Sequence, residues 1–61
     1  MDQVSMSTLN YMAMKIQDEQ VRIAESHGYD ATLLRSEHWL AQLLSETAIE
    51  LQAKGVMVTY D

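Results

Sequence analysis

The chain has 61 residues and a formal net charge of −5, and it contains no cysteine. The length allows a single domain, 1–61, and the missing cysteines exclude disulfides and cysteine-based metal sites. The acidity disfavours nucleic acid and anionic membrane surfaces as partners, because the few bases lie scattered along the sequence. No apolar run is long enough for a membrane span, and the start lacks the bases of a signal peptide. We therefore expect a cytoplasmic protein.

The first predicted element is a helix over residues 8–27. Ser7 or Thr8 would cap its start, because a hydroxyl can accept a hydrogen bond from a first-turn amide. Gly28 follows its end, where a left-handed residue commonly closes a helix. Apolar residues at spacings of three and four predict one buried stripe, which Gln20 interrupts. The stripe comprises Leu9, Met12, Ala13, Ile16, Ile23 and Ala24.

A second helix is predicted over residues 31–54, with Asp30 as its N-cap, Thr32 as the alternative start, and Gly55 after its end. Its apolar stripe comprises Leu33, Leu40, Leu44, Ala48 and Leu51. Gly28 and the next residue form a short connection, which favours an antiparallel hairpin. The alternative is one continuous helix kinked at Gly28, since glycine costs only about 1 kcal/mol inside a helix. The predicted fold class is thus all-α.

The tail, residues 56–61, reads differently from the helices. Its β-branched and aromatic side chains favour an extended chain. A single strand is not stable alone, so the tail would pair with a symmetry mate, lie along the hairpin, or stay disordered.

Each helix carries a wider apolar arc than one helix–helix contact can cover. A domain of this size also buries a small fraction of its surface, so a monomer would be marginally stable. These observations predict a homodimer with a four-helix arrangement, or a partner protein, on the surplus apolar surface. The residues expected at the dimer or partner interface are Met14, Val21, Trp39, Leu43 and Ile49.

The sequence offers no convincing catalytic, cofactor or metal site. His27 and His38 lack a second ligand at helical spacing, and Glu46 and Glu50 lie four apart but without an evident pocket. We expect a protein without enzymatic activity or cofactors.

In size, acidity and two-helix plan, the chain resembles the small accessory proteins of temperate-phage early regions. The resemblance extends from "LNYMAMKIQDEQVRIAESHGYD" through "SEHWLAQLLSETAIELQAKG". It implies a protein that contacts host factors, and it assigns no functional residue. The leading hypothesis is a dimeric interaction module that binds and modulates a partner protein. The alternatives are a structural subunit of a larger assembly and a DNA-binding regulator of the ribbon–helix–helix type, with "DQVSMS" as its strand.

Overall fold

A computed structural model describes residues 2–60. The element order is β1 (Gln3–Ser5), α1 (Met6–Ser26), α2 (Glu37–Ala53) and β2 (Met57–Thr59). The two helices pack against each other, and the pairing of β1 with β2 places the start of α1 beside the end of α2. The two-helix arrangement is therefore confirmed. The class all-α is incomplete, because a short two-stranded sheet joins the helices.

Helix α1 begins earlier than predicted, because Ser5 rather than Ser7 or Thr8 caps it. The Ser5 hydroxyl accepts a hydrogen bond from the Thr8 amide at 3.2 Å. The same serine ends β1, so strand and helix follow each other without a loop. This arrangement fixes the direction in which β1 leaves the helix.

Both glycines close a helix in the predicted manner. Gly28 and Gly55 have φ of 78° and 86°. At each, the amide of the residue after the glycine donates to the carbonyl five residues before it, at 2.9 Å. This bond satisfies a helix-end carbonyl and turns the chain away from the helix axis. The kinked continuous helix is therefore wrong.

The predicted start of the second helix is also wrong. Asp30 accepts hydrogen bonds from the Thr32 amide and hydroxyl, at 2.9 and 2.6 Å, and so closes a local turn. Ser36 is the N-cap of α2, with its hydroxyl accepting from the Trp39 amide at 3.0 Å. Glu37 then places a carboxylate in the first turn, where the helix dipole favours it. The connection is consequently longer than expected.

A glutamine from α1 anchors this longer connection. The Gln17 amide donates to the carbonyls of Leu34 and Ser36, at 2.8 and 3.1 Å. Gln20 lies one turn further along and accepts a 2.7 Å hydrogen bond from the Trp39 indole. Two polar residues thus occupy the seam between α1 and the start of α2. They explain why the sequence pattern was interrupted at Gln20.

The core is small and differs from the predicted stripes. Four apolar residues are buried among those described: Leu9, Ala13, Ala31 and Leu43. On α1, the stripe prediction is right for Leu9 and Ala13 and wrong for Met12, Ile16 and Ile23, which are exposed. On α2, Leu43 is buried, while Leu40, Leu44 and Leu51 are half-buried. Leu33 lies before the helix and is 82% exposed.

The tail pairs with the start of the same chain. β1 and β2 are parallel, with Val4 opposite Val58 in the register. The Met57 amide donates to the Asp2 carbonyl at 2.9 Å, and the Thr59 hydroxyl donates to the Val4 carbonyl at 3.3 Å. The prediction of an extended tail is confirmed over β2, the pairing with β1 of the same chain was not predicted, and Asp61 lies outside the described residues.

Two ion pairs lie on the surface of the described part. Arg22 pairs with Glu19, and this hydrogen bond lowers the pKa of the Glu19 carboxyl. Arg35 pairs with Glu25, which links the connection to the last turns of α1. All four side chains are at least half exposed, so each pair contributes little to stability.

Candidate interaction surface

An open groove of about 420 Å³ lies between the two helices. We call it the α1–α2 groove; its lining residues are Ile16, Leu43, Glu46, Thr47, Ile49 and Glu50. Leu43 is buried at the groove, and the Thr47 hydroxyl donates to the Leu43 carbonyl at 2.8 Å. The groove therefore offers apolar side chains, and one of its polar groups is already hydrogen-bonded within the helix.

Exposed apolar side chains border this groove on both helices. Ile16 is 40% exposed on α1 and Ile49 is 62% exposed on α2. Met12 and Ile23 are exposed as well, and at about 100° per residue they fall within roughly 40° of Ile16 around α1. These three residues share one side of α1, although Gln20 lies between Ile16 and Ile23 and only Ile16 lines the groove. Apolar residues that are exposed close together mark an interaction site more often than isolated ones do.

Two carboxylates give the groove an acidic character. Glu46 and Glu50 lie one turn apart on α2 and are both exposed. Neither takes part in an ion pair within residues 2–60. A basic side chain beside an apolar contact would complement this surface, whereas another acidic surface would be repelled.

The structure separates the predicted interface residues into different places. Leu43 and Ile49 both line the α1–α2 groove. Val21 instead lines a second depression of about 260 Å³, together with Gln17, Asp18 and Arg35. The predicted set is therefore not one continuous surface within a single chain. Its role in binding remains a prediction.

The two remaining predicted interface residues have local partners. Trp39 is half-buried, and its indole nitrogen donates to Gln20 across the helix seam. Met14 is exposed, and its sulfur lies 3.6 Å from the Asn10 side-chain nitrogen. Trp39 thus has a defined structural role in the chain, while Met14 remains available to a partner.

The sequence did not predict Ile16 as a surface residue, because Ile16 fitted the apolar stripe. The feature that could have indicated its exposure is the pair of glutamines that follows it. Gln17 and Gln20 lie on the same helix face as Ala13, and their amides hydrogen-bond to the connection and to Trp39 of α2. The bulkier Ile16 lies beside this face and is 40% exposed.

The histidines form no site with other ligands. His27 ends α1, where its Nδ1 lies 2.8 Å from the Ile23 carbonyl and its ring stacks on Tyr29. Within the described residues, no cluster of three or more acidic or histidine side chains has the arrangement of a metal site. In the same part of the chain, neither helix has the length and apolarity needed to cross a membrane.

Comparisons with protein-family models, with curated proteins and with solved structures gave no match in any of the three. The chemistry of the α1–α2 groove must therefore be judged from its own residues.

Proposed function

We propose that the protein is a non-enzymatic interaction module, which acts as a homodimer and binds and modulates a partner protein through the α1–α2 groove. The observation that carries this proposal is the pair of exposed isoleucines, Ile16 and Ile49, on opposite sides of one open groove. Apolar side chains held in this way stay exposed to water, which is unfavourable, unless a partner covers them.

The groove favours a partner segment with one or two apolar side chains beside a base. Its volume of about 420 Å³ is in the range of sites that enclose small apolar groups. Glu46 and Glu50 at its border would orient a lysine or arginine of the partner. Burial of Ile16 and Ile49 supplies most of the affinity, because exposed charge pairs contribute little.

The shape of the chain supports self-association. Its accessible surface is 4650 Å², whereas a compact 7.0 kDa monomer exposes about 4,000 Å². Its radius of gyration is 13.1 Å, against roughly 10.5 Å for a compact chain of this length. The chain is thus more extended than a compact monomer of its size, and a second copy can cover part of the additional surface.

The resemblance to small accessory proteins of temperate-phage early regions supports a host protein as the partner. The DNA-binding alternative has less support, because two of the four bases, Arg22 and Arg35, are already paired with glutamates. The strand that a ribbon–helix–helix protein would offer to DNA is also paired with β2 of its own chain. A structural subunit of a larger assembly would use the same groove, so only the identity of the bound partners distinguishes it from a modulator.

The experiment for partner binding is affinity capture from the native host, followed by titration of the captured protein against variants. Ile49→Ser should weaken binding by at least about 1 kcal/mol, since it removes an apolar side chain from the groove. Leu33→Ser is the matched control, because Leu33 is still more exposed but lies outside the groove. Equal binding by both variants would place the partner elsewhere.

Self-association is tested separately by sedimentation equilibrium of the wild-type chain at micromolar concentration. We expect a dimer in equilibrium with monomer. A purely monomeric and cooperatively folded species would contradict the dimer without bearing on the groove.

A further inference from the structure

The outer edge of β2 has the geometry of a strand that is ready to pair. In a parallel ladder, alternate residues of a strand direct their backbone groups to the same neighbour. The Met57 amide bonds to Asp2 on the β1 side. The backbone N–H and C=O of Val58, the next residue, therefore point away from β1. Within residues 2–60, no other strand lies on that side to receive them.

The side chains of this edge contain none of the features that usually block pairing. The stretch from Val56 to Tyr60 has no charge, no proline and no glycine. Protected edges usually carry such residues, and an uncharged β-prone edge tends to recruit another strand. The sheet itself has only two strands, which is fewer than an independently stable sheet requires.

The outer edge of β1 is a poorer alternative. Asp2 precedes this strand, and Ser5 ends it as the N-cap of α1. The helix begins at once, so Gln3 is the only β1 residue whose amide and carbonyl both remain for an outer neighbour. An added strand would gain little there.

We propose that the outer edge of β2 pairs with the same edge of a second copy of this chain, antiparallel and with Val58 on the twofold axis. The two Val58 residues would exchange both backbone hydrogen bonds, as directly opposed residues of an antiparallel pair do. The Tyr60 amide of each copy would reach the Val56 carbonyl of the other. The result is a four-stranded sheet in the order β1–β2–β2–β1.

The charges favour the outer edge of β2 over the α1–α2 groove as the surface for self-association. A twofold contact through the groove would bring Glu46 and Glu50 toward their own copies, and like charges at an interface are unfavourable. The β2 edge carries no such charge. The inference rests on the homodimer of the proposed function, assigns the dimer to the sheet, and leaves the groove to the partner protein.

The first test uses backbone N-methylation, with the chain made by chemical synthesis. Val58→N-methylvaline removes the outward N–H and adds a methyl group at the edge, while the bonds to β1 remain. Sedimentation equilibrium should show the dimer dissociation constant raised at least about tenfold, because both symmetry-related bonds are lost. Gln3→N-methylglutamine is the matched control at the β1 edge and should leave the dimer unchanged. Circular dichroism of each chain verifies that helicity is retained.

A second measurement uses the absence of cysteine in the sequence. With Val58 on the axis, Met57 of one copy lies opposite Thr59 of the other as a non-hydrogen-bonded pair, about 4.5 Å apart at Cα. This distance suits a disulfide. A mixture of the Met57→Cys and Thr59→Cys chains should therefore form mixed disulfide dimers faster than either chain alone.

The outcomes separate this inference from the proposed function. If the wild-type chain dimerises but N-methylation at Val58 has no effect and the mixed disulfide shows no preference, the dimer forms through another surface and the inference is overturned. Loss of the dimer with the Gln3 variant alone would assign it to the β1 edge and overturn it equally. A monomeric wild-type chain would overturn the inference together with the proposed homodimer.

Discussion

Truncation of a single leucine should show how much of the fold rests on the small core. Leu9 is fully buried and is the largest such side chain among the described residues. A buried Leu→Ala change usually costs about 2.7–5 kcal/mol, from lost transfer energy and the remaining cavity. A chain of 61 residues has a total stability of roughly 3–9 kcal/mol. Leu9→Ala should therefore remove a large part of the free energy of unfolding.

The matched control is Leu33→Ala, the same chemical change at a side chain that is 82% exposed. It should alter stability by less than about 0.5 kcal/mol. Urea unfolding followed by circular dichroism at 222 nm measures both variants, at one protein concentration because dimerisation couples stability to concentration. The sequence pattern alone placed both leucines in buried stripes. If Leu33→Ala cost as much as Leu9→Ala, the connection before α2 would have to be packed differently from the arrangement described above.

Three further changes test the turns and caps. Gly28→Val should lower the free energy of unfolding by at least about 1 kcal/mol. The cause is backbone strain at positive φ and not a steric clash, because a Cβ at this position meets nothing within 4 Å. D-alanine adopts positive φ without this strain, so a Gly28→D-alanine chain that is also destabilised in urea would refute this cause. Ser36→Ala should lower the free energy of unfolding by about 1 kcal/mol and reduce the helicity, because the Trp39 amide loses its hydrogen-bond acceptor. If Asp30→Ala reduced the helicity and Ser36→Ala did not, α2 would begin at Asp30, as the sequence predicted. The Thr32 hydroxyl and amide lower the pKa of Asp30, so this stabilisation is complete above the ordinary carboxyl pKa of about 4 and is lost as pH falls through the lower folded-state value. Asp30→Asn should therefore flatten the acid limb of a stability–pH titration, and an unchanged limb would show that the turn does not matter to folding.

The ends of the helices were more predictable from sequence than their starts. A glycine after an apolar helical stretch has few roles, because the left-handed closing position suits it better than any other residue. Gly28 and Gly55 accordingly mark both helix ends. Helix starts were harder to predict, because several residues near each start can serve as the N-cap. Asp30 and Ser36 both carry suitable oxygens, and only the tertiary anchoring of the connection by Gln17 decides between them.

The faces of the helices were predictable only in part. Periodicity gives the width of an apolar arc but not the line along which two helices touch. In α1, polar Gln17 and Gln20 lie on the seam, and exposed Ile16 lies beside it. Hydrogen bonds to a connection that is distant in sequence determine this choice. For the same reason, the α1–α2 groove could not be assembled from single-helix patterns.

The pairing of β1 with β2 also determines the order in which the chain can assemble. The Thr59–Val4 contact joins residues 55 positions apart. Closing a flexible loop of that length costs about 3.5 kcal/mol of chain entropy, more than a few strand hydrogen bonds return. We therefore expect the strands to meet after the helical hairpin has brought them together, and to join last in folding. Once joined, they link the residues before α1 to those after α2, and exchange of the Met57 amide with deuterium would record how often β1 and β2 separate.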